Sequence, residues 1–445
     1  MDTLFAERLL DSALRRGADE AEVYLKRSKS LGIDVRDQKI DTLETSVTAG
    51  FCLRVIRDRR LGFSYSTAPD DAELVVERAL EASRHTEPDD ALALPVRSGP
   101  APDLRVFDEA VPALPESEAI ERVMLVEKTA LDTDSRIRKV RKASGHFGTS
   151  DTYILNSHGV DVRYASSGCS AQLMVIAEED GESQMGWDYE GSRFLSGVQF
   201  ELVGRRAAQN ALRLLGARKT TAVRGFVLLD SSVTTEFLGI FAAALSSESV
   251  QKKKSMLAGK KGAQVISTRL TVTDSGMIEG RLGSRPFDDE GVPTTSKRLI
   301  DSGVLTGYLY NTYTARKDNV ASTGNAVRGG ALSLPHVGPT CLVLESSSPE
   351  RVAGFDRLVR AADRGLYVLE TMGMHTANPV SGEFSVGASG VWIENGELRY
   401  PVKEAVISGT VLDLFQRVAA VGDDMRFYGN IGASSLLIED IDISA

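Results

Sequence analysis

The chain has 445 residues, 42% of them hydrophobic and 26% charged, a composition typical of folded globular proteins that excludes the disordered, collagen-like and coiled-coil classes. Its 52 Lys and Arg residues against 62 Asp and Glu leave a net charge of −10, so the overall field repels nucleic acid and anionic lipid. Because no apolar stretch reaches the roughly 20 residues that span a bilayer, and the three cysteines are scattered without a disulfide or zinc spacing, we expect a cytoplasmic protein that binds neither membranes nor nucleic acid.

Two similar helix-strand-helix units are predicted in the first half of the chain. In chain order, the predicted elements are a helix over 3–16, about four strands over 32–65, a helix over 72–83, a helix over 120–131, strands over 137–189 and a helix over 198–215. The repeated order indicates a duplicated α–β-meander–α pattern, a similarity of element order and not of residue identity. Six prolines in residues 86–115 predict a connector between the two copies.

Beyond Arg218, short strands and frequent turns predict a β-rich half. Its clearest local prediction is a hairpin over 391–400, where Asn395-Gly396 matches a type I′ turn. The predicted fold class is therefore α+β. An N-terminal domain of helices and antiparallel sheet is expected over 1–218, with a sub-boundary at 86–115, followed by a β-rich C-terminal domain over 219–445.

Residue patterns alone indicate no self-evident active site. The five histidines form no HExxH-type helix, and neither a GxSxG elbow nor a phosphate-binding glycine loop is present. His375, in a loop after a predicted strand, is the one histidine that merits a test. The basic cluster Lys252–Lys254 fits either an anionic partner or a solvated loop, and the acidic segment Phe287–Gly291 is interpreted as a turn rather than a Ca²⁺ site.

Seven segments of the second half carry a family resemblance when they are taken together and in order. They are Arg285-Pro-Phe-Asp-Asp-Glu-Gly291, Tyr313-Thr-Ala-Arg-Lys317, Ser322-Thr-Gly-Asn-Ala326, Ser381-Gly-Glu-Phe-Ser385, Trp392-Ile-Glu-Asn-Gly396, Tyr400-Pro-Val402 and Val421-Gly-Asp-Asp424. With the similar opening at 17–22, they resemble the TldD/PmbA family and, within it, the PmbA (TldE) branch. The resemblance implies a cytosolic peptidase system in which a TldD-type subunit carries zinc on an HExxxH helix plus a cysteine, and a PmbA-type subunit pairs with it.

Laid on this chain, the HExxxH helix of the resemblance falls on 235–240. Glu236 keeps the carboxylate, whereas Thr235 and Ile240 stand at the two imidazole positions and Ala433 stands near the cysteine position. A catalytic zinc needs about three protein donors. The resemblance therefore implies no metal ligand and no cofactor in this chain, with zinc expected only in a TldD-type partner. We expect Glu236 to be a helix N-terminal carboxylate favoured by the helix dipole rather than a catalytic group.

Peptide capture is the remaining role that the resemblance leaves for such a subunit. An exposed strand binds an extended peptide through main-chain hydrogen bonds. We hypothesise that the segment Ser381, Gly382, Glu383, Phe384 and Ser385, with the loop around His375, lines a cleft shared with the catalytic partner. The alternative for Phe384 and Trp392 is that they fill a core.

Two other functions remain open at this point. The first is an independently active hydrolase that uses His375 with Ser381 and Glu383, and the second is a gyrase-associated regulator, after the family's older label "modulator of DNA gyrase". In the leading hypothesis the chain forms a heterodimer with a TldD-like catalytic subunit and acts on unfolded or leader peptides. A homodimer is the alternative for the isolated chain.

Overall fold

The computed structural model describes residues 3–444, and its N-terminal half is one antiparallel sheet with helices on a single face. The elements are α1 (Thr3–Arg15), β1 (Glu20–Arg36), β2 (Lys39–Arg57), β3 (Arg60–Ser66), α2 (Ala72–Ser83), α3 (Ala110–Ala113), α4 (Glu116–Thr133), β4 (Ile137–Asn156), β5 (Asp161–Glu179), β6 (Glu182–Ser192) and α5 (Phe200–Arg213). The six strands lie in the order β3-β2-β1-β4-β5-β6. Each half of this sheet is a three-strand meander, and the two meanders meet at the antiparallel pair of β1 and β4. This arrangement agrees with the predicted duplication of element order.

The prediction of about four short strands over 32–65 is wrong, because three longer strands occupy residues 20–66. β1 and β2 are joined by a two-residue turn in which Asp37 and Gln38 both have φ of 55°. The buried carboxylate of Glu127, on α4, accepts hydrogen bonds from the backbone N–H groups of both turn residues at 2.8 and 2.6 Å. The residue that stabilises this turn lies 90 positions away in the chain, so a local pattern does not show the contact.

Period-two alternation places the apolar side chains of the sheet under the helices. Near its start, β1 directs Val23 and Leu25 into a core formed with α1 and α2, and near its end it directs Ile33 and Val35 into a core formed with α4 and α5. The intervening side chains of β1 include Tyr24, and they point to the opposite face of the sheet. That face is turned toward the C-terminal half.

The C-terminal half is β-rich, as predicted. Its elements are β7 (Val223–Leu229), α6 (Ser231–Ala244), α7 (Ser247–Gln251), β8 (Leu270–Ser275), β9 (Ser296–Asp301), β10 (Val304–Leu305), α8 (Thr312–Lys317), β11 (Ala326–Val327), β12 (His336–Val337), β13 (Leu342–Ser346), α9 (Phe355–Ala361), β14 (Arg364–Met372), β15 (Glu383–Glu394), β16 (Glu397–Thr410), α10 (Val411–Gln416), β17 (Val418–Val421), β18 (Arg426–Tyr428), β19 (Ile431–Ala433) and β20 (Leu436–Ser444).

Two sheets of this half enclose the main core together with α6. One has the order β16-β15-β14-β7-β20-β17, and the pairing of β16 with β20 closes five of its strands into a ring. The other has the order β10-β9-β8-β13-β19-β18. Phe237 and Phe241 of α6 are fully buried in the core that both sheets share. The predicted Asn395-Gly396 hairpin is confirmed: both residues have positive φ and the turn joins β15 to β16.

Among residues 3–444, no helix is long and apolar enough to cross a membrane. The three cysteines, Cys52, Cys169 and Cys341, are buried and free.

Candidate functional site

Helix α6 carries the positions at which the resemblance places a zinc site in other members. Its N-terminus is held by Asp230, whose side chain accepts a hydrogen bond from the Ser232 N–H at 3.0 Å and another from the Tyr367 hydroxyl at 2.8 Å. Along the helix, Phe237 and Leu238 are anchored in the core. Asp230 thus fixes where α6 begins, and the buried Phe237 and Leu238 fix which face of the helix is turned toward the core.

The three positions expected to lack zinc ligands lie on α6 and on the strand packed beside it. Thr235 is buried, and its hydroxyl already donates to the Ser232 carbonyl oxygen at 2.6 Å. Ile240 packs against the main core, and Ala433 is fully buried in β19. Helix α6 contacts β19 closely enough that a Cβ added at Gly239 would lie 3.5 Å from Ile431 Cδ1.

This donor set does not fit a zinc ion. A methyl group and a branched alkyl chain offer no lone pair, and a threonine hydroxyl is a poor substitute for an imidazole. Within the part of the chain that the structure describes, no group of three or more His, Cys, Asp or Glu side chains is placed to hold a metal.

Glu236 lies beyond the first turn of α6, as its sixth residue, so the prediction of a helix N-terminal carboxylate is wrong. The effect of the helix dipole fades within the first turn, and Asp230 caps the helix instead. The Glu236 residue is exposed as a whole, yet its carboxyl end lies against protein atoms and accepts a hydrogen bond from the Thr371 hydroxyl. This desolvation raises the pKa of Glu236, and the Thr371 hydrogen bond opposes the rise.

Glu370, on β14, is a neighbour of Glu236 that residue patterns did not indicate. Its pKa is raised, first by desolvation and then by the negative charge of Glu236. A β-bulge between Val368 and Glu370 shifts the register of β14 against β15 at this point. Because bulges re-aim side chains and have no dependable signature in one sequence, the proximity of these two carboxylates emerged only from the tertiary structure.

The predicted peptide-binding segment is packed differently from the hypothesis. Phe384 is only 6% exposed, and its ring meets that of Phe237 edge-on at 4.8 Å between centroids. This burial contradicts a cleft-lining role for the Phe384 side chain and favours the core alternative, which also holds for Trp392. Gly382 is buried as well, with φ of 80°, and a Cβ there would lie 2.9 Å from Met256 Sδ.

The remaining residues of that segment are exposed but do not form a catalytic arrangement. The Ser381 hydroxyl donates to Glu383 Oε2 at 3.1 Å, and Ser385 is exposed. His375 is exposed on a short turn and, within residues 3–444, makes no hydrogen bond to Ser381 or Glu383. A nucleophile needs a base within hydrogen-bond reach, so this geometry gives no support to an independent hydrolase at this place.

The basic cluster Lys252–Lys254 follows α7 and is exposed. Lys252 forms an ion pair with Glu248 one helical turn earlier. This arrangement is that of a solvated surface.

The acidic turn Phe287–Gly291 is buried in the joint between the two halves. A turn was correctly predicted, since Phe287 bridges to Pro293 and Gly291 has φ of 82°. The close packing of this turn against the N-terminal sheet was not predicted. A Cβ added at Gly291 would lie only 2.4 Å from Cγ1 of Val160, in the loop between β4 and β5. The turn thus presses its acidic side chains against the polar face of that sheet.

A buried ion network connects this turn to the first two strands. Arg54 bonds Glu22 at 2.8 Å and Glu290 at 2.9 Å, and Arg328 bonds the other oxygen of Glu22 at 2.6 Å. The side chains of these four residues are at most 8% exposed. Each buried guanidinium in this group therefore has a carboxylate partner, as buried charges require.

The same turn contains two aspartates whose pKa values move in opposite directions. Burial and the neighbouring Glu290 charge raise the pKa of Asp288 to about 7, although three backbone N–H groups donate to its carboxyl group. Burial also acts on Asp289, but the charge of Arg285, at 3.0 Å, and the Arg328 N–H outweigh it and lower its pKa. The pKa values of the two adjacent carboxyl groups therefore differ, because only Asp289 has a guanidinium directly bonded to it.

A second contact between the halves lies beside the N-terminus of α6. Arg426 on β18 forms an ion pair with the buried Asp188 of β6 at 2.8 Å. Trp187, Tyr189 and Tyr428 gather around this pair, with ring centroids 5.6 to 6.3 Å apart. Trp187 is 37% exposed, so this aromatic cluster opens to solvent next to α6.

Comparisons with known proteins agree along nearly the whole chain. Residues 21–83, 109–215 and 224–445 match family models described as PmbA/TldA metallopeptidase domain 1, central domain and C-terminal domain. The chain is similar to Metalloprotease PmbA of Escherichia coli O157:H7, with 31% identity over 439 residues that cover 96% of this chain and 92% of that protein.

Two solved structures resemble the fold. One is a candidate modulator of a DNA gyrase from Thermotoga maritima, with a TM-score of 0.91, 28% identity and 99% of each chain covered. The other is TldE from Thermococcus kodakarensis, with a TM-score of 0.88, 23% identity, and coverage of 99% of this chain and 100% of that one. At this lower identity, the second comparison shows the fold alone.

Proposed function

The chain belongs to the PmbA/TldD metallopeptidase family, and from that membership we propose that it is a PmbA/TldE-like subunit without its own zinc site. In this proposal it pairs with a zinc-bearing TldD-type subunit, and the pair degrades or processes unfolded or leader peptides. The chain contributes docking and peptide capture, and the partner contributes the metal and the hydrolysis.

One observation carries this proposal. The residues at the three expected ligand positions, Thr235, Ile240 and Ala433, provide neither an imidazole nor a thiolate. A hydrolytic zinc needs about three protein donors to hold it and to lower the pKa of its bound water to about 7. Glu236 retains the carboxylate, but it has no metal-bound water within this chain to deprotonate.

Peptide capture is supported by surfaces other than the segment that the sequence indicated. In residues 3–444 one face of the N-terminal sheet carries no helix, and hydroxyl side chains, among them Ser28, Ser30 and Ser150, line part of that face. The aromatic cluster of Trp187, Tyr189 and Tyr428 opens to solvent beside α6. In this proposal α6 corresponds to the zinc-binding helix of a TldD-type subunit. Polar floors flanked by aromatic side chains suit extended, unfolded peptides, because they offer hydrogen bonds and apolar contact without demanding one sequence.

The test is a metal analysis of the purified full chain, followed by cleavage assays of an unfolded peptide. We expect less than 0.1 zinc ion per chain and no cleavage by the chain alone, and cleavage when a TldD-type subunit of the same organism is added. A stoichiometric zinc ion together with chelator-sensitive turnover by the chain alone would overturn the proposal.

Two variants sharpen this test. Glu236→Gln should leave cleavage by the reconstituted pair unchanged, because no step of the reaction uses this carboxylate. The triple substitution Thr235→His, Ile240→His and Ala433→Cys should increase zinc binding by the chain if these positions correspond to the ligands of a TldD-type subunit. Failure of Glu236→Gln to support cleavage, with zinc content and pairing unchanged, would assign the carboxylate a catalytic part.

A further inference from the structure

A cavity of about 320 Å³ lies on the polar face of the N-terminal sheet, against the C-terminal half. Its floor consists of hydroxyl side chains from β1, β4 and β5. These are Ser28, Ser30, Ser150, Ser166 and Ser170. Leu282 and Arg193 form its wall, and His146 is exposed at its margin. Among residues 3–444, no aspartate or glutamate lines this cavity, although the chain as a whole has a net charge of −10.

Arg193 is the unusual residue of this cavity. Two of its five N–H groups donate to backbone carbonyl oxygens, those of Ser167 and Ser284, each at 3.0 Å. Its Nε is buried and has no hydrogen-bond partner in residues 3–444, which is also true of the Nε atoms of Arg54 and Arg285, so the difference from those residues lies in the missing carboxylate. Across the same residues, no carboxylate lies within ion-pair distance of Arg193, and a nearby charged group is another cation, Arg285.

The other arginines buried at the joint between the halves have the carboxylate partner that Arg193 lacks within residues 3–444. Arg54, Arg285 and Arg328 each have a carboxylate within 3.0 Å. A buried guanidinium without a counter-charge is costly to the folded state. Burial accordingly lowers the pKa of Arg193, whereas ion pairing raises the pKa of Arg285. The uncompensated cation faces a cavity rather than a packed core, so a ligand can supply the missing charge.

We infer that this cavity binds a carboxylate group of the peptide that the complex processes. A guanidinium and several hydroxyl donors are the groups that recognise a carboxylate. Ser30 and Ser166 carry hydroxyls whose hydrogen bonds are not taken up within residues 3–444, whereas Ser28 donates to Ser150 at 3.1 Å. The source of the carboxylate is either the C-terminus of the peptide or an acidic side chain. This inference rests on the proposed function for the nature of the ligand.

The experiment compares three forms of one unfolded peptide in titrations with the purified full chain. The first has a free C-terminus and no Asp or Glu, the second is its C-terminal amide, and the third is the amide with one internal Glu. We expect at least one carboxylate form to bind about tenfold more tightly than the plain amide, and added salt to reduce that difference. The form that binds identifies the terminus or the side chain as the source.

Two variants locate the effect. Arg193→Met should abolish the preference for the carboxylate form. Because Arg193 also bonds two carbonyl groups, that variant is paired with Ser30→Leu, which fills the cavity from the floor without removing a contact of Arg193. Thr42→Leu is the matched control, since it makes the same kind of change at an exposed position on the same sheet face but outside the cavity. It should leave the preference unchanged.

The outcomes separate this inference from the proposed function. Equal affinity for all three peptides, or a preference that persists in both Arg193→Met and Ser30→Leu, would overturn the carboxylate site and leave the subunit role standing. Binding of none of the peptides would overturn the site and peptide capture by the isolated chain together. Zinc-dependent turnover by the chain alone would overturn the subunit role, while a preference abolished by Ser30→Leu would still support the site.

Discussion

Two regions at the joint between the halves contain buried arginine side chains, and they differ in whether a carboxylate balances the positive charge. Around Glu22, each guanidinium has a carboxylate partner, and the network links the first strands to the turn at 287–291. Around Arg193, the guanidinium has two carbonyl oxygens and no carboxylate within the described residues, and it borders a cavity. The compensated region is suited to hold the two halves in a fixed orientation. The uncompensated region retains the capacity to bind an anion.

Removing one charge from the compensated region should have the largest effect. Glu22→Gln leaves Arg54 with one carboxylate partner instead of two and Arg328 with none. We expect the free energy of unfolding to fall by about 3–5 kcal/mol, because breaking a buried pair leaves an uncompensated charge. Urea denaturation measures the change. As a control, Arg136→Ala removes two ion pairs at the protein surface, with Asp134 and Glu179, and should cost much less than Glu22→Gln. A similar small loss for Glu22→Gln would mean that the network does not join the halves.

The pH dependence of stability sharpens the description of the same region. The pKa of Asp288 is about 7 in the folded chain, above its ordinary unfolded value near 4. Between these values the folded state binds more protons at this site than the unfolded state, so the contribution of Asp288 to stability is present at low pH and is lost as pH rises toward 7. The slope is at most about 1.4 kcal/mol per pH unit.

Comparison with Asp288→Asn isolates this contribution from those of other carboxyl groups, such as Glu236, whose pKa is also raised. Unfolding free energies at pH 5 and pH 7 should differ less in the variant than in the unmodified chain. Equal differences in the two proteins would show that Asp288 is ionised throughout this range.

A substitution at Arg193 tests the other region. Arg193→Met removes a cation that has no counter-charge within residues 3–444, and it also removes the hydrogen bonds that Arg193 donates to the Ser167 and Ser284 carbonyl groups. These changes oppose each other, so we expect the free energy of unfolding to change by less than about 2 kcal/mol. Thermal or urea unfolding provides the measurement. A loss as large as that expected for Glu22→Gln would show that Arg193 is chiefly a structural bridge.

The smallest expected effect on stability comes from introducing a carboxylate beside Arg193. Ser166→Asp places a carboxylate on the floor of the cavity that Arg193 borders. We expect stability to stay within about 1 kcal/mol of the unmodified chain, since the new ion pair offsets the burial of the new charge. Affinity for the carboxylate form of the test peptide should fall to that of its amide. Unchanged discrimination between the two peptides would contradict the assignment of the cavity.

Local signals in the chain predicted the features that depend on neighbours in sequence. The hairpin at Asn395-Gly396 follows from the preference of those residues for positive φ, and the turn at 287–291 from its glycine and acidic residues. The contact of Asp37 and Gln38 with Glu127 of α4 could not be predicted from local signals, because Glu127 lies about 90 positions further along the chain. The number of strands over 32–65 was predicted wrongly, because β1 already begins at Glu20 and β2 continues without a break through Gly50.

For the candidate site, the sequence indicated which side chains α6 carries, but it did not indicate which residues from other elements lie beside them. The absence of imidazole and thiol at Thr235, Ile240 and Ala433 is a matter of side-chain identity, so the sequence was sufficient to recognise it. Glu370 lies close enough to Glu236 to feel its negative charge, and it follows a bulge in β14 that the sequence does not reveal. The burial of Phe384 depends on Phe237, which lies nearly 150 positions earlier in the chain.

By itself, the amino-acid sequence determined the family, the fold class, the repeated order of elements and the chemical groups at each position, because these follow from side-chain identity and short-range periodicity. Only the tertiary structure decided which charges meet. Burial and pairing are properties of residues brought together from distant parts of the chain, as Glu22 and Arg328 are. Arg328 and Arg193 carry the same charge, but only Arg328 has a carboxylate partner within residues 3–444. The difference therefore arises from the residues that the fold places beside each of them.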